Sequence, residues 1–259
     1  MPFEEIVATL RAAGIDNAFG EARMLAERFE GKALSMAIEK RLTHYPLQYI
    51  LGEWGFYRET YEVNEHCLVP RSDTEILVDA AIRTLPCAAR FLDLCTGSGC
   101  IAVSVLASRP DTTAVAVDLF PETLALAGRH AARNGVAERA TFLEADVMQM
   151  PSEALFPRGS FDAILSNPPY IPDAVVPTLQ AEVGFEPAAA LCGGKDGMDF
   201  YRAILKRWTP LLKPGGHVFF EIGYDQGKAI EALAAEHGFC ATVMQDFGKN
   251  DRVAALTPF

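Results

Sequence analysis

Paired cysteines are what this sequence most plainly lacks. Six cysteines stand at positions 67, 87, 95, 100, 192 and 240, and no two form a Cys-x-x-Cys pair. The five histidines show no metal-ligand spacing either. Neither a metal nor a disulfide framework is therefore expected, and scattered thiols of this kind suit a reducing cytoplasm. The opening residues, Met1-Pro2-Phe3-Glu4-Glu5, contain no cleavable apolar core. A run of about 18 apolar residues is also missing, so no membrane span is expected. Basic clusters are absent too: 23 Lys and Arg face 34 Asp and Glu, for a formal net charge of -11. A phosphate backbone repels such a chain unless a local basic patch compensates, so no direct nucleic-acid partner is expected. Internal repeats and low-complexity segments are absent, and a monomer is expected.

What is present is ordinary globular material. The chain has 259 residues, half of them hydrophobic and 22% charged, enough for one large domain and a small appendage. Phe3, Ile6, Val7 and Leu10 recur at helical spacing, as do Ala22, Leu25, Ala26 and Phe29, with Gly14 and Gly20 between them. Residues 1–47 thus read as a small helical domain, either a bundle without chemistry or a docking surface for a protein. Residues 48–70 carry Tyr49, Ile50, Trp54, Phe56, Tyr57, Tyr61 and Val63, interrupted by Gly52 and Gly55. This predicts a β-hairpin linker whose aromatics enter the core or line a substrate slot. Ser72 and Glu75 have capping-box spacing at the head of a helix reaching about Leu85.

From Arg90 the pattern alternates. Strands are predicted at 90–94, 113–118, 140–144, 161–166 and 216–222, and helices at 99–108, 121–134, 198–208 and 226–237. Such alternation builds an α/β fold with a mostly parallel sheet and helices on both faces. Two last strands, near 241–245 and 252–256, are joined by a connector too short for a crossover and must be antiparallel.

Chemistry concentrates at predicted strand ends. The first strand runs into Asp93-Leu94-Cys95-Thr96-Gly97-Ser98-Gly99. A glycine-rich turn there lets a ligand approach bare backbone. A tight turn without a ligand is the plainer alternative. Asp118 ends the next strand, where a carboxylate can accept from two ribose hydroxyls. That pair suits NAD and S-adenosylmethionine alike; Asp93 before the turn favours a cationic amino-acid cofactor over a pyrophosphate. At the third strand end, Asp146 can accept from an adenine amino group while Val147 packs on the ring, or Asp146 is an unremarkable strand-end residue. The fourth strand ends in Asn167-Pro168-Pro169-Tyr170. Two prolines fix the backbone beyond the strand. The Asn167 side-chain oxygen and the Pro168 carbonyl then form two rigid acceptors for both hydrogens of a planar –NH2, on which Tyr170 can stack.

Here the sequence resembles the amino- and amide-nitrogen methyltransferases, and within them the release-factor glutamine methyltransferases. The likeness runs through Pro46–Gly52, Val69-Pro70-Arg71, Asp73-Thr74-Glu75, Phe185-Glu186-Pro187, Glu221–Gly227 and Asp246–Val253. The resemblance implies a Rossmann-like, seven-stranded class I methyltransferase sheet over 71–259. It also implies a small N-terminal helical domain, joined by the hairpin, that docks the substrate. The implied reaction moves a methyl group from S-adenosylmethionine, leaving S-adenosylhomocysteine, to the glutamine of the Gly-Gly-Gln loop in class I peptide chain release factors. By position, Cys95 to Gly99, Asp118, Val147 and Asn167 contact the cofactor, and Asn167 to Tyr170 hold the glutamine. The chain departs from the pattern in four places. Cys95 stands for a usual Gly, Val147 for a frequent aromatic and Ser72 for a common Pro, and the N-terminal domain is short. The nearest rival is a glutamine methyltransferase acting on a ribosomal protein, against which Asp73-Thr74-Glu75 speaks. An adenine-N6 or guanine-N2 nucleic-acid methyltransferase would need a recognition domain or a basic face. A non-catalytic cofactor module would not need Asn167-Pro168-Pro169-Tyr170, and neither would a nicotinamide dehydrogenase.

Overall fold

A computed structural model describes residues 1–259. At the N-terminus, helices α1 (Phe3–Ala12), α2 (Ala18–Arg28) and α3 (Gly31–Leu42) close on one another. Ile6, Val7, Leu10, Ala22, Leu25 and Ile38 form their common core. Hydrophobic spacing points to the first two helices. Ala26, however, is exposed, because α2 turns it toward solvent.

The expected boundary at residue 47 cuts through a further helix, α4 (Leu47–Leu51), which Gly52 terminates in the left-handed region. Leu47, Ile50 and Leu51 pack on the helical core, so the helical unit extends to Leu51. The hairpin is correspondingly shorter than 48–70: β1 (Glu53–Phe56) pairs with β2 (Glu59–Glu62). Its aromatics are structural. Phe56 and Tyr61 enter the core of the large domain, and Tyr61 shares a hydrogen bond with Ser104 at 2.8 Å.

The capping box does not form. Ser72 opens a short 3-10 turn, and the Ser72 side chain caps nothing. The Glu75 carboxylate instead accepts from the Tyr57 backbone N–H at 2.8 Å, tying α5 (Glu75–Thr84) to the hairpin.

Beyond α5 lie β3 (Arg90–Leu94), α6 (Cys100–Ser108), β4 (Thr113–Asp118), α7 (Pro121–Arg133), β5 (Ala140–Glu144) and β6 (Phe161–Ser166). Then come α8 (Asp199–Arg207), β7 (Leu212–Glu221), α9 (Gly227–Glu236), β8 (Phe239–Gln245) and β9 (Asp251–Pro258). Seven strands make one sheet in the order β5-β4-β3-β6-β7-β9-β8. The first five are parallel, while β9 runs antiparallel to both β7 and β8. β7 starts earlier than the expected residue 216. Its register with β6 jumps between Phe161 and Ala163, which absorbs the Pro214-Gly215-Gly216 stretch without ending the strand.

Strand alternation separates two cores. Leu92, Leu94, Val115, Val117, Ile164 and Phe220 face Tyr201 and Trp208 on one side. Phe91, Ala114, Ala116, Leu165 and Phe219 face α5 and α6 on the other. The α7 residues Thr123, Leu126, Ala127, His130 and Ala131 recur at helical spacing, and all are buried. After β3 the strands step outward to β5, and β6 returns beside β3. The direction of winding therefore reverses between β3 and β6, where α/β sheets open a ligand crevice beyond the carboxyl ends. No helix is long and apolar enough to cross a membrane.

Candidate active site

The turn after β3 is held from below. Asp93 is fully buried. Asp93 Oδ2 accepts from the Thr96 hydroxyl at 2.6 Å and from the Ala102 N–H at 3.1 Å, while Oδ1 has no partner. Burial pushes this carboxyl up to about 7, against the pull of those two hydrogen bonds. Asp93 was expected to face a ligand, but it does not line the cavity. In β3 it alternates with Leu92 and Leu94, which sends it under the turn toward α6.

Cys95, Gly97 and Gly99 all have positive φ, at 58°, 54° and 78°. An L-residue in this region is strained by about 1–2 kcal/mol, which is why Gly suits position 95 and why Cys95 is an exception. Burial pushes the Cys95 thiol well above its ordinary value, so it stays neutral. Gly99 is needed for packing: a Cβ there would lie 2.9 Å from the Ala127 Cβ, between α6 and α7. It too lies outside the cavity wall.

A cavity of about 380 Å³ opens above this turn. Cys95, Thr96, Gly97, Ser98, Asp118, Asp146, Val147 and Asn167 line it, which brings together eight of the ten residues expected around a cofactor. Asp118 Oδ2 accepts from Gly97 N–H at 2.9 Å and Oδ1 from Phe120 N–H at 3.2 Å. Each oxygen keeps a lone pair for a ligand. Burial raises this carboxyl above its ordinary value, against those backbone donors. Asp146 Oδ1 accepts from Met148 N–H at 2.8 Å, leaving Oδ2 without a protein donor. The Val147 carbonyl accepts from the Trp208 indole at 2.9 Å, which anchors that strand end to the core. Sequence reasoning missed Leu119 and Phe120, which line the cavity and are 48% and 42% exposed. Large apolar residues directly after a strand-end acid were the available signal.

Beyond β6, Ser166 donates to the Leu94 carbonyl at 2.7 Å and clamps the two strand ends together. Asn167 then faces both the first cavity and a second of about 140 Å³. Leu68, Arg71 and Ala190 also line both. Tyr170 lines only the second cavity and Pro169 only the first, and Pro168, which is buried, lines neither. Neither Asn167 Oδ1 nor the Pro168 carbonyl receives a hydrogen bond from the protein. Asn167 Nδ2 donates to the Thr74 hydroxyl oxygen at 3.3 Å, and the Thr74 hydroxyl donates to Glu221 Oε2. Tyr170 donates to Glu221 Oε1 at 3.3 Å. Thr74 and Glu221 lie in two of the matched stretches, yet nothing in their spacing marked them as site residues. Arg71 pairs with Glu186, whose other oxygen accepts from Val69 N–H at 3.0 Å.

A family model for a methyltransferase domain matches residues 91–183, the span from β3 through Asn167 and beyond. A release factor glutamine methyltransferase of Caulobacter vibrioides is 36% identical over 268 residues, covering 94% of this chain and 91% of that protein. A second, from Moorella thermoacetica, is 40% identical over 83% of this chain and 76% of its own length. The crystal structure of a methyltransferase from Pyrococcus furiosus shares the fold at 19% identity, with a TM-score of 0.56. It covers 76% of this chain and 87% of that one.

Proposed function

The chain belongs to the release factor glutamine methyltransferases, and on that premise we propose the following reaction. A methyl group passes from S-adenosylmethionine to the side-chain amide nitrogen of the glutamine in the Gly-Gly-Gln loop of class I peptide chain release factors. The observation that carries this reading is Asn167, which lines both cavities with its Oδ1 free of any protein donor, next to the equally free Pro168 carbonyl.

The larger cavity fits the methyl donor chemically. Its volume lies in the roughly 300–1,000 Å³ range of small-molecule sites. Asp118 offers lone pairs to ribose hydroxyls, Asp146 Oδ2 offers one to the adenine amino group, and Val147 and Phe120 supply apolar wall. When bound, the cofactor supplies an electrophilic sulfonium methyl.

An amide nitrogen is a poor nucleophile because its lone pair is delocalised into the carbonyl, so catalysis is positioning and electrostatics. The glutamine enters through the smaller cavity past Tyr170, Arg71 and Leu191. Asn167 Oδ1 and the Pro168 carbonyl each accept one amide hydrogen, which aims the nitrogen and stabilises the positive charge that develops on it until one of those protons leaves to solvent after attack. The glycines flanking the target glutamine let it pass a narrow entrance. In this reading residues 1–51 help grip the release factor, and the hairpin fixes them to the sheet domain. Asn167→Ala is expected to lose methyl transfer while the cofactor still binds; turnover near wild type would sink the two-acceptor clamp.

A further inference from the structure

The orientation of the Asn167 amide is set by residues remote from it in sequence. Glu221, at the end of β7, is 2% exposed, and Thr74 is equally buried at 2%. A threonine hydroxyl has one hydrogen, and an ionised carboxylate has none to give. The Thr74 hydrogen is committed to Glu221 Oε2. Thr74 Oγ1 can therefore offer only a lone pair to its other neighbour, 3.3 Å away, and that neighbour must be the Asn167 –NH2 group. The Asn167 oxygen is thereby turned from Thr74 toward the site.

We infer that Thr74 and Glu221 are positioning residues, a relay that selects the one flip state of Asn167 in which it accepts from the methyl-acceptor amide. The inference rests on the glutamine reading above. In the opposite flip state an –NH2 would meet the substrate –NH2, donor against donor, and the clamp would fail. Tyr170 supports the relay by donating to the other Glu221 oxygen. Tyr201 does so by donating to the Glu221 backbone carbonyl at 2.9 Å.

The relay has a proton-dependent direction. Burial pushes the Glu221 carboxyl up to about 6, while Thr74, Arg252 and Tyr170 hold it down and Asp73 raises it. A protonated Glu221 can itself donate to Thr74, which frees the Thr74 hydrogen for the Asn167 oxygen. Glu221→Gln removes the acceptor-only end in the same way. Thr74→Val removes the link altogether, and Thr74→Ser restores it.

The test measures kcat, KM, cofactor affinity by calorimetry and thermal midpoint for wild type, Glu221→Gln, Thr74→Val and Thr74→Ser. It also measures solvent exchange of the Asn167 side-chain amide protons by NMR, with S-adenosylhomocysteine bound and no substrate. Expected are kcat losses of about 100-fold in Glu221→Gln and Thr74→Val. Cofactor affinity is retained in Glu221→Gln, because Glu221 lines only the smaller cavity, and most of the Thr74→Val loss is recovered in Thr74→Ser. The amide protons should exchange up to about tenfold faster in Thr74→Val, as the loss of one hydrogen bond allows. Wild-type kcat should fall as pH drops through about 6, and Glu221→Gln should lose that limb. The relay is overturned if Thr74→Val keeps wild-type kcat and amide exchange, or if Thr74→Ser is no better than Thr74→Val. It is also overturned if the acidic limb of wild type is missing. Should wild type methylate no release factor while the exchange rates behave as stated, the relay stands and the substrate reading falls.

Discussion

Gly193→Ala perturbs this site through backbone contacts alone. Gly193 lies on the segment that returns against the backbone of Pro169 and Tyr170, and its N–H donates to the Ile171 carbonyl at 2.8 Å. A Cβ there would stand 2.7 Å from Tyr170 Cα, 2.8 Å from the Pro169 carbonyl oxygen and 2.9 Å from the Tyr170 carbonyl carbon. All three are backbone atoms, so no flexible side chain can swing aside. Ordinary contact begins near 3.4 Å. The Gly193 and Pro169-Tyr170 backbones must therefore separate by roughly 0.7 Å, and misplacement of the site on the scale of 1 Å costs about 100-fold in rate. The Asn167–Thr74 hydrogen bond, already 3.3 Å long, would stretch beyond a useful distance. The expected loss in kcat is between about tenfold and 100-fold, with overpacking costing about 1–3 kcal/mol of stability. Cofactor affinity should fall less than kcat, because Gly193 and Tyr170 lie outside the larger cavity and only Pro169 and Cys192 beside them line it. Steady-state methyl transfer at saturating cofactor, calorimetry and a thermal melt measure all three quantities. A stable Gly193→Ala enzyme with wild-type kcat would refute the claim that backbone position at Asn167–Tyr170 limits the reaction.

Two further outcomes concern stability. His130 is 1% exposed, with Nδ1 on the Ser98 carbonyl at 2.7 Å and Nε2 accepting from Glu62 N–H at 2.9 Å, so the fold requires the neutral ring. Burial lowers its pKa below 6.5, against the Ser98 carbonyl and Glu62, with Arg129 and Arg133 adding to the shift. The unfolded chain therefore takes up this proton first as pH falls. The His130 contribution should be complete above pH 6.5 and be lost as pH drops through the folded pKa, a slope that denaturant titrations should find flattened in His130→Leu. Arg41, 1% exposed, bridges Glu21 of α2 and Glu182 of the segment after Tyr170. Arg41→Met leaves Glu21 unpaired and should cost about 3 kcal/mol, close to 10 °C in Tm for a chain of this size. Arg41→Met combined with Glu21→Leu should recover much of that loss, and equal melting of the single and double variants would contradict the argument.

The parts of this fold legible in the sequence are those governed by local pattern. Parallel strands read as short apolar runs, and four of them end where expected, at Leu94, Asp118, Glu144 and Ser166. Since ligands gather at such ends, Asp118, Asp146, Val147 and Asn167 were legible for the same reason. Residue type points Asp93 to a ligand, but period two puts it on the face opposite Leu92 and Leu94, outside the cavity lining. Helix α4 was hidden because Tyr49 and Ile50 favour strands, yet packing on the helical core decided the outcome. Ser72 and Glu75 had the right spacing for a cap, but the Tyr57 N–H reached the carboxylate first. The Thr74–Glu221 contact spans 147 positions, and no periodicity encodes a hydrogen bond between a short turn and a strand end that only the tertiary fold brings together.

The central claim is that the two acceptors at Asn167 and Pro168 serve a glutamine amide. Transfer of a labelled methyl group from S-adenosylmethionine to a purified class I release factor tests it most directly, beside a release factor whose loop glutamine is replaced. Label on the first and none on the second is the predicted result. Equal label on both, or none on either with cofactor binding intact, would contradict it.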